Sequence, residues 1–203
     1  MSDDRSQSSN GSTDKNWLAR TAHKVIQKIT GEPNNLEELE NVIDEALERD
    51  VIDPQTKEMI KGVLEVSEQK VRDIMIPRSQ MNTIDINQTV DEFLPMLLKS
   101  AHSRFPVVNE DKDHVEGILL AKDLLPFAFE KQTDEISLKS ILRKAIVVPE
   151  TKRVDTLLRE FREERYHMAI VVDEYGGVSG LVTIEDILEQ IVGEIVDETD
   201  DSE

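Results

Sequence analysis

The sequence predicts a mixed α/β (α+β) fold in which two consecutive β-α-β-β-α units follow a helical N-terminal extension. Three observations predict it. From Met81 onward, β-rich runs alternate with segments of helical periodicity. The alternation occurs twice. The two rounds superpose at one offset of 63 residues, which places Gly117 on Gly180, Asp123 on Asp186 and Val107 on Ile170. The first helices match instead at 64, Val90 with Val154, so one residue is inserted between. A repeat of this period is an internal duplication.

Taken in order, residues 1–16 are rich in Ser, Asp, Asn and Gly and bury almost nothing, which predicts a disordered tail. The helical extension spans 17–66. Trp17 to Thr30 places Leu18, Ala22, Val25, Ile26 and Ile29 at helical spacing with Arg20, Lys24 and Lys28 elsewhere. That segment is a basic amphipathic helix, open to two readings: a membrane-surface or partner-docking segment, or a helix packed on its own domain. Asn35 to Glu48 reads as a helix with Leu36, Leu39, Val42, Ile43 and Leu47 inward. Asp53-Pro54 starts another, with Asp as N-cap and Pro in the first turn.

The first repeat, 67–130, opens with a strand from Met81 to Ile86. Thr89 to Glu92 forms a capping box for a helix whose face is Val90, Phe93, Leu94, Leu97 and Leu98. Pro95 lies inside that helix, where a proline costs about 3 kcal/mol and kinks the axis. Strands Phe105 to Val108 and Val115 to Leu120 flank a turn at Asn109 to Asp113, and a helix follows from Ala121, interrupted at Pro126. The second repeat, 131–195, reads as strand Ala145 to Val148, a helix burying Val154, Leu157, Leu158 and Phe161, strand Met168 to Val172, a turn at Tyr175 to Gly177, strand Val178 to Val182 and a helix from Ile184. Residues 196–203 form an acidic tail.

Charge and composition exclude several function classes. The 203 residues hold 24 Lys and Arg against 43 Asp and Glu, a net charge of −19. General nucleic-acid binders need cationic faces that displace phosphate counterions, so no nucleic-acid partner is expected. The absence of cysteine removes disulfide frameworks, zinc ribbons, thiol nucleophiles and iron–sulfur ligands, and suits a reducing cytosol. Wholly apolar runs such as Met168 to Val172 fall far short of the roughly 18–20 residues of a membrane-spanning helix, and no secretory signal is read. No Lys or Arg follows Arg165, so the C-terminal end carries an anionic field. No nucleophile elbow or Walker loop appears, and the reading is not an enzyme.

The chemistry concentrates in Gly180-Leu181-Val182-Thr183-Ile184-Glu185-Asp186. The strand ends at Val182, Thr183 sits at the helix N-cap and Asp186 lies in the first turn. A helix N-terminus offers free N–H groups and positive dipole to a phosphate, the Thr hydroxyl adds a donor, and an Asp there can accept both hydroxyls of a ribose. The same two residues also make sense purely as a helix cap. In the first repeat the matching segment is Gly117 to Asp123 with Leu120 in place of the hydroxyl, which predicts a poor site there. Metal ligands are unassigned: His23, His102, His114 and His167 are scattered, while Asp173-Glu174 and Asp197 to Glu203 could gather Mg²⁺ but suit a solvated acidic surface better.

The duplicated unit and this motif resemble the CBS domain. Val71 to Arg78, His102 to Val107 and Asp173 to Gly180 are further similar to the CorC/HlyC family of magnesium and cobalt efflux proteins. The resemblance implies a tandem CBS pair about a pseudo-two-fold axis, associating as a homodimer through its helices. It implies adenine-nucleotide binding, ATP or AMP, with Mg²⁺ as a candidate companion. The base is expected near Ile84 and Val148, Ser103 and Arg104 approach across the repeat interface, and Pro106, Thr183, Glu185 and Asp186 complete the site. Arg suits phosphate because it is planar, permanently charged and bidentate. Many family members carry an N-terminal membrane domain and a further C-terminal domain, so the expectation is a cytoplasmic regulator acting through a membrane transporter partner, or a portion of a longer protein. Two alternatives stand beside it: a dimerisation module with an empty cleft, and an acidic metal-binding or partner-docking protein.

Overall fold

A computed structural model describes residues 33–100, 102–126 and 137–193. The tail expected to be disordered, the basic helix expected at Trp17 to Thr30 and the acidic C-terminal stretch all lie outside the described residues. Contacts divide the chain into two units, 1–57 and 58–203.

In the first unit, helix α1 (Leu36–Glu48) is capped by Asn35, whose side chain accepts the Glu38 N–H at 2.8 Å. No residue of α1 is buried, and Leu36 and Val42, expected inward, are exposed. Helix α2 (Pro54–Val66), most of which belongs to the second unit, begins as the sequence predicts, Asp53 accepting the Thr56 N–H at 2.7 Å. That bond holds the Asp53 carboxyl below its ordinary range.

The second unit contains both repeats. The first comprises α3 (Val71–Ile74), β1 (Ile76–Pro77), a 3₁₀ turn (Arg78–Gln80), β2 (Ile84–Asp85), α4 (Val90–Ser100), β3 (Arg104–Asn109), β4 (Asp111–Leu120) and a 3₁₀ helix (Ala121–Leu124). The second comprises α5 (Leu138–Ile141), β5 (Val147–Pro149), α6 (Val154–Glu164), β6 (Met168–Val172), β7 (Val178–Thr183) and α7 (Ile184–Val192). Strands β2, β3 and β4 form one sheet. Strands β5, β6 and β7 form the other, extended by β1, which crosses over from the start of the first repeat to pair antiparallel with β7. The helix-side cores centre on Phe93, Phe105 and Leu119 in one repeat and on Leu157, Phe161 and Ile187 in the other. A third cluster, including Met81, Ile118, Met168, Ile170 and Leu181, lies between the repeats.

Strand register corrects the alignment of the repeats. Ile84 pairs with Val107 and Val148 with Val171, an offset of 64 through β3, whereas Leu119 opposite Phe105 and Val182 opposite Ala169 give 63 in the following strand. The extra residue therefore sits in the β3–β4 hairpin, where Glu110 has φ 66°. The reason is the two-residue period of a strand: matching Val107 to Ile170 would equate a helix-side residue with one facing the other repeat.

Other boundaries move too. The strand expected at Met81 to Ile86 shrinks to Ile84–Asp85, because Met81 turns into the central cluster. Helix α4 runs through Pro95, and Leu98, read as inward, is 69% exposed.

Gly62 of α2 sets the approach of α7. A Cβ at Gly62 would lie 2.5 Å from the Gln190 carbonyl oxygen and 2.8 Å from the Ile191 Cα. Gly62→Ala gains up to about 1 kcal/mol of helix propensity but forces backbone apart, an overpacking cost of about 1–3 kcal/mol. Net destabilisation is the expected result in urea melts; a more stable variant would show that the two helices do not meet so closely.

Candidate functional site

The β-branched run Val182-Thr183-Ile184 ends strand β7 and starts a helix with no intervening loop, which fixes Thr183 as the N-cap of α7. Its hydroxyl accepts the Asp186 N–H at 3.2 Å. In return, Asp186 Oδ2 accepts the Thr183 N–H at 2.6 Å and the Thr183 hydroxyl at 2.8 Å. The capping role is therefore real, and it aims the carboxylate. Oδ2 carries both Thr183 bonds, while Oδ1 receives none from a described residue. Burial pushes the Asp186 carboxyl above the usual aspartate range; the Thr183 bonds and His102 pull against it, and Glu185 adds to it.

This turn forms one end of a cleft of about 310 Å³. The start of β3 contributes Ser103, Arg104 and Pro106, which reach it because the two repeats face each other across the central cluster. Arg104 Nη1 stands 3.7 Å from Glu185 Oε1, and His167 Nδ1 lies 3.9 Å from the same oxygen. Arg104 is the one Lys or Arg lining the cleft among the described residues, against the carboxylates of Glu185 and Asp186.

The remaining wall comes from the segment 76–82, with Ile76, Gln80, Met81 and Asn82. Its position is set by the first hairpin. Lys112 Nζ donates to the carbonyls of Arg78 at 3.0 Å and Met81 at 2.9 Å. Asp113 Oδ1 accepts from Arg78 Nη1 at 2.7 Å and from the Val178 N–H at 3.1 Å. Apolar Ile76, Met81, Pro106, Met168 and Leu181 line the cleft together with polar Ser103, Arg104, Thr183 and Asp186. This mixture suits a ligand with an apolar body and an anionic group.

Six sequence-named residues thus meet in one cleft: Ser103, Arg104, Pro106, Thr183, Glu185 and Asp186. Ile84 and Val148 do not. Each is fully buried in its helix-side core, its side chain on the strand face turned away from the lining residues, so the structure does not bring these two side chains to the cleft. Sequence reading missed the wall residues and His102, which lines the cleft and tilts against Phe105 with centroids 6.1 Å apart. No cluster of three or more potential metal ligands occurs among the described residues.

The CBS domain model matches residues 71–130 and 138–193. The magnesium and cobalt efflux protein CorC of Escherichia coli K12 is 56% identical over the whole of this chain and 68% of its own length. The chain belongs to the CorC family. Among solved structures, the CBS domain of a bacterial CNNM/CorC family Mg²⁺ transporter in complex with ATP is 44% identical, with a TM-score of 0.66 over 70% of this chain and all of that one. A CBS-domain pair with bound AMP from Klebsiella pneumoniae is 32% identical, with a TM-score of 0.51 over 61% of this chain and 98% of that one. Like those CBS proteins, this CorC relative is a tandem pair with mixed α/β repeats. No helix of its described residues is long and apolar enough to cross a membrane.

Proposed function

We propose that the cleft binds an adenine nucleotide, AMP or ATP, and that the CBS pair uses its occupancy to regulate magnesium and cobalt efflux as a non-enzymatic cytoplasmic module acting on a membrane transporter. One observation carries the reading: Ser103 and Arg104 from one repeat and the Thr183–Asp186 turn from the other converge on an apolar-walled cleft. Asp186 Oδ1 is the acceptor for the ribose hydroxyls, Arg104 and the α7 N-terminus face the phosphates, and the apolar wall takes the base. The ATP and AMP complexes of related CBS domains support the ligand class. Association as a homodimer is supported by the apolar side chains that Leu98, Leu188 and Val192 leave exposed on their helices.

The charge balance gives Mg²⁺ its place. A triphosphate approaching Arg104 also meets Glu185 and Asp186, so repulsion between anions weakens free ATP more than AMP. Glu185 would help hold a Mg²⁺ that arrives with the phosphates, and the ion's positive charge would offset the repulsion. Calorimetric titration with AMP, ADP and ATP, with Mg²⁺ and with EDTA at matched ionic strength, tests this. Mg²⁺ is expected to strengthen ATP binding more than AMP binding. Equal ATP affinity in both buffers would sink magnesium coupling, and no heat with any nucleotide would favour a purely structural dimerisation module.

A further inference from the structure

We propose that Arg143 is an intrachain plug that closes the pseudo-symmetric cleft of the first repeat; this rests on the nucleotide reading above. Just as β7 runs into α7, β4 runs into the 3₁₀ helix Ala121–Leu124, which puts Asp123 where Asp186 stands. Each strand also receives the backbone of the segment leading into the opposite repeat. On β7 that segment is β1, with Ile76 opposite Leu181. On β4 it is an isolated bridge, with Arg143 opposite Ile118, the repeat equivalent of Leu181. Ile118 and Arg143 exchange two backbone hydrogen bonds, of 2.8 and 2.9 Å.

Ile76 and Arg143 therefore hold the same place in the two clefts, and their side chains make them opposites. Ile76 leaves its carboxylate free: Asp186 has no cation at salt-bridge distance among the described residues, and Ile76 lines an open cleft. Arg143 instead grips Asp123, with Nε 3.3 Å from Oδ2 and Nη2 3.3 and 3.1 Å from Oδ1 and Oδ2. A guanidinium presents two donors in one plane, which is what the vicinal hydroxyls of a ribose would present to the same carboxylate. Arg143 thus satisfies Asp123 in the ligand's stead. Since its side chain is 57% exposed, the plug can be removed without opening a core.

The test counts sites. Leu120→Thr supplies the missing hydroxyl, and Arg143→Ile removes the plug and copies the open cleft; Arg143→Gln serves if the isoleucine variant fails to fold by circular dichroism. In titrations with AMP, wild type and Leu120→Thr are expected to take one nucleotide per chain, and the double variant two. Transplanting the plug with Ile76→Arg is expected to lower AMP affinity in the open cleft at least tenfold. Two sites in Leu120→Thr alone, one site in the folded double variant, or unchanged affinity in folded Ile76→Arg would each overturn the plug while leaving the nucleotide reading intact. A wild-type chain that takes up no adenine nucleotide overturns that reading first, and this one with it.

Discussion

Asp186→Ala is expected to weaken adenine-nucleotide binding by about 1.5–3 kcal/mol, one to two decades in affinity, the scale of hydrogen bonds to a charged group. The same change removes the acceptor of the Thr183 N–H and hydroxyl bonds, a cap loss of about 1 kcal/mol. Folding and binding must therefore be measured apart, by thermal melts and by calorimetry. Unchanged affinity in a folded variant would remove Asp186 from the site. A pH titration gives a second check. Burial raises the Asp186 pKa, so the ionised form is the costly one in the fold: its contribution to stability is present below the ordinary aspartate value of 3.8 and is lost as pH rises through the raised one. Ligand binding runs the other way, because the ionised carboxylate accepts from both ribose hydroxyls. Affinity is expected to fall on acidification before an ordinary aspartate would protonate. Adenosine is the probe of choice, since it has no phosphate to titrate alongside.

A comparably large effect is expected from Gly180→Ala, this time on stability and affinity together. The added Cβ would stand 2.2 Å from the Ile76 carbonyl oxygen, a backbone atom that can yield only if β1 leaves β7. Reduced backbone entropy in the unfolded chain returns at most about 1 kcal/mol, against an overpacking cost of about 1–3 kcal/mol. Because Ile76 is also a wall of the cleft, AMP affinity should drop with the denaturation midpoint. If the midpoint falls while affinity holds, β1 does not shape the site.

These two residues also mark what the sequence reveals and what it hides. Asp186 is legible because T-x-x-D after a short strand-like run specifies a cap by local hydrogen bonding alone, and β6, α6 and α7 are legible because their apolar periods are clean. Gly180 is legible as a motif position, yet its physical role depends on Ile76, more than a hundred residues away, which no local pattern announces. The wall at Gln80 to Asn82 is hidden for the same reason: the segment has no periodicity, and Lys112 and Asp113 hold it from a distant hairpin. The resemblance puts a base near Ile84 and Val148, yet a strand turns alternate residues to opposite faces and the side chains of these two take the helix-side one. Leu98 shows the converse error, a helix-spaced apolar residue that a single chain leaves exposed.

The close seat of α7 on Gly62 has a mechanical meaning. Helix α7 is a strut of nine residues, about 13 Å long at 1.5 Å per residue. One end is the Thr183 turn that frames the cleft, and the other bears on the backbone of α2 with no side chain of Gly62 between to act as a cushion. A short α-helix is stiff along its axis, so a tilt at the first end becomes a displacement at the second. The helix that precedes the first repeat is thereby geared to the turn that closes the second.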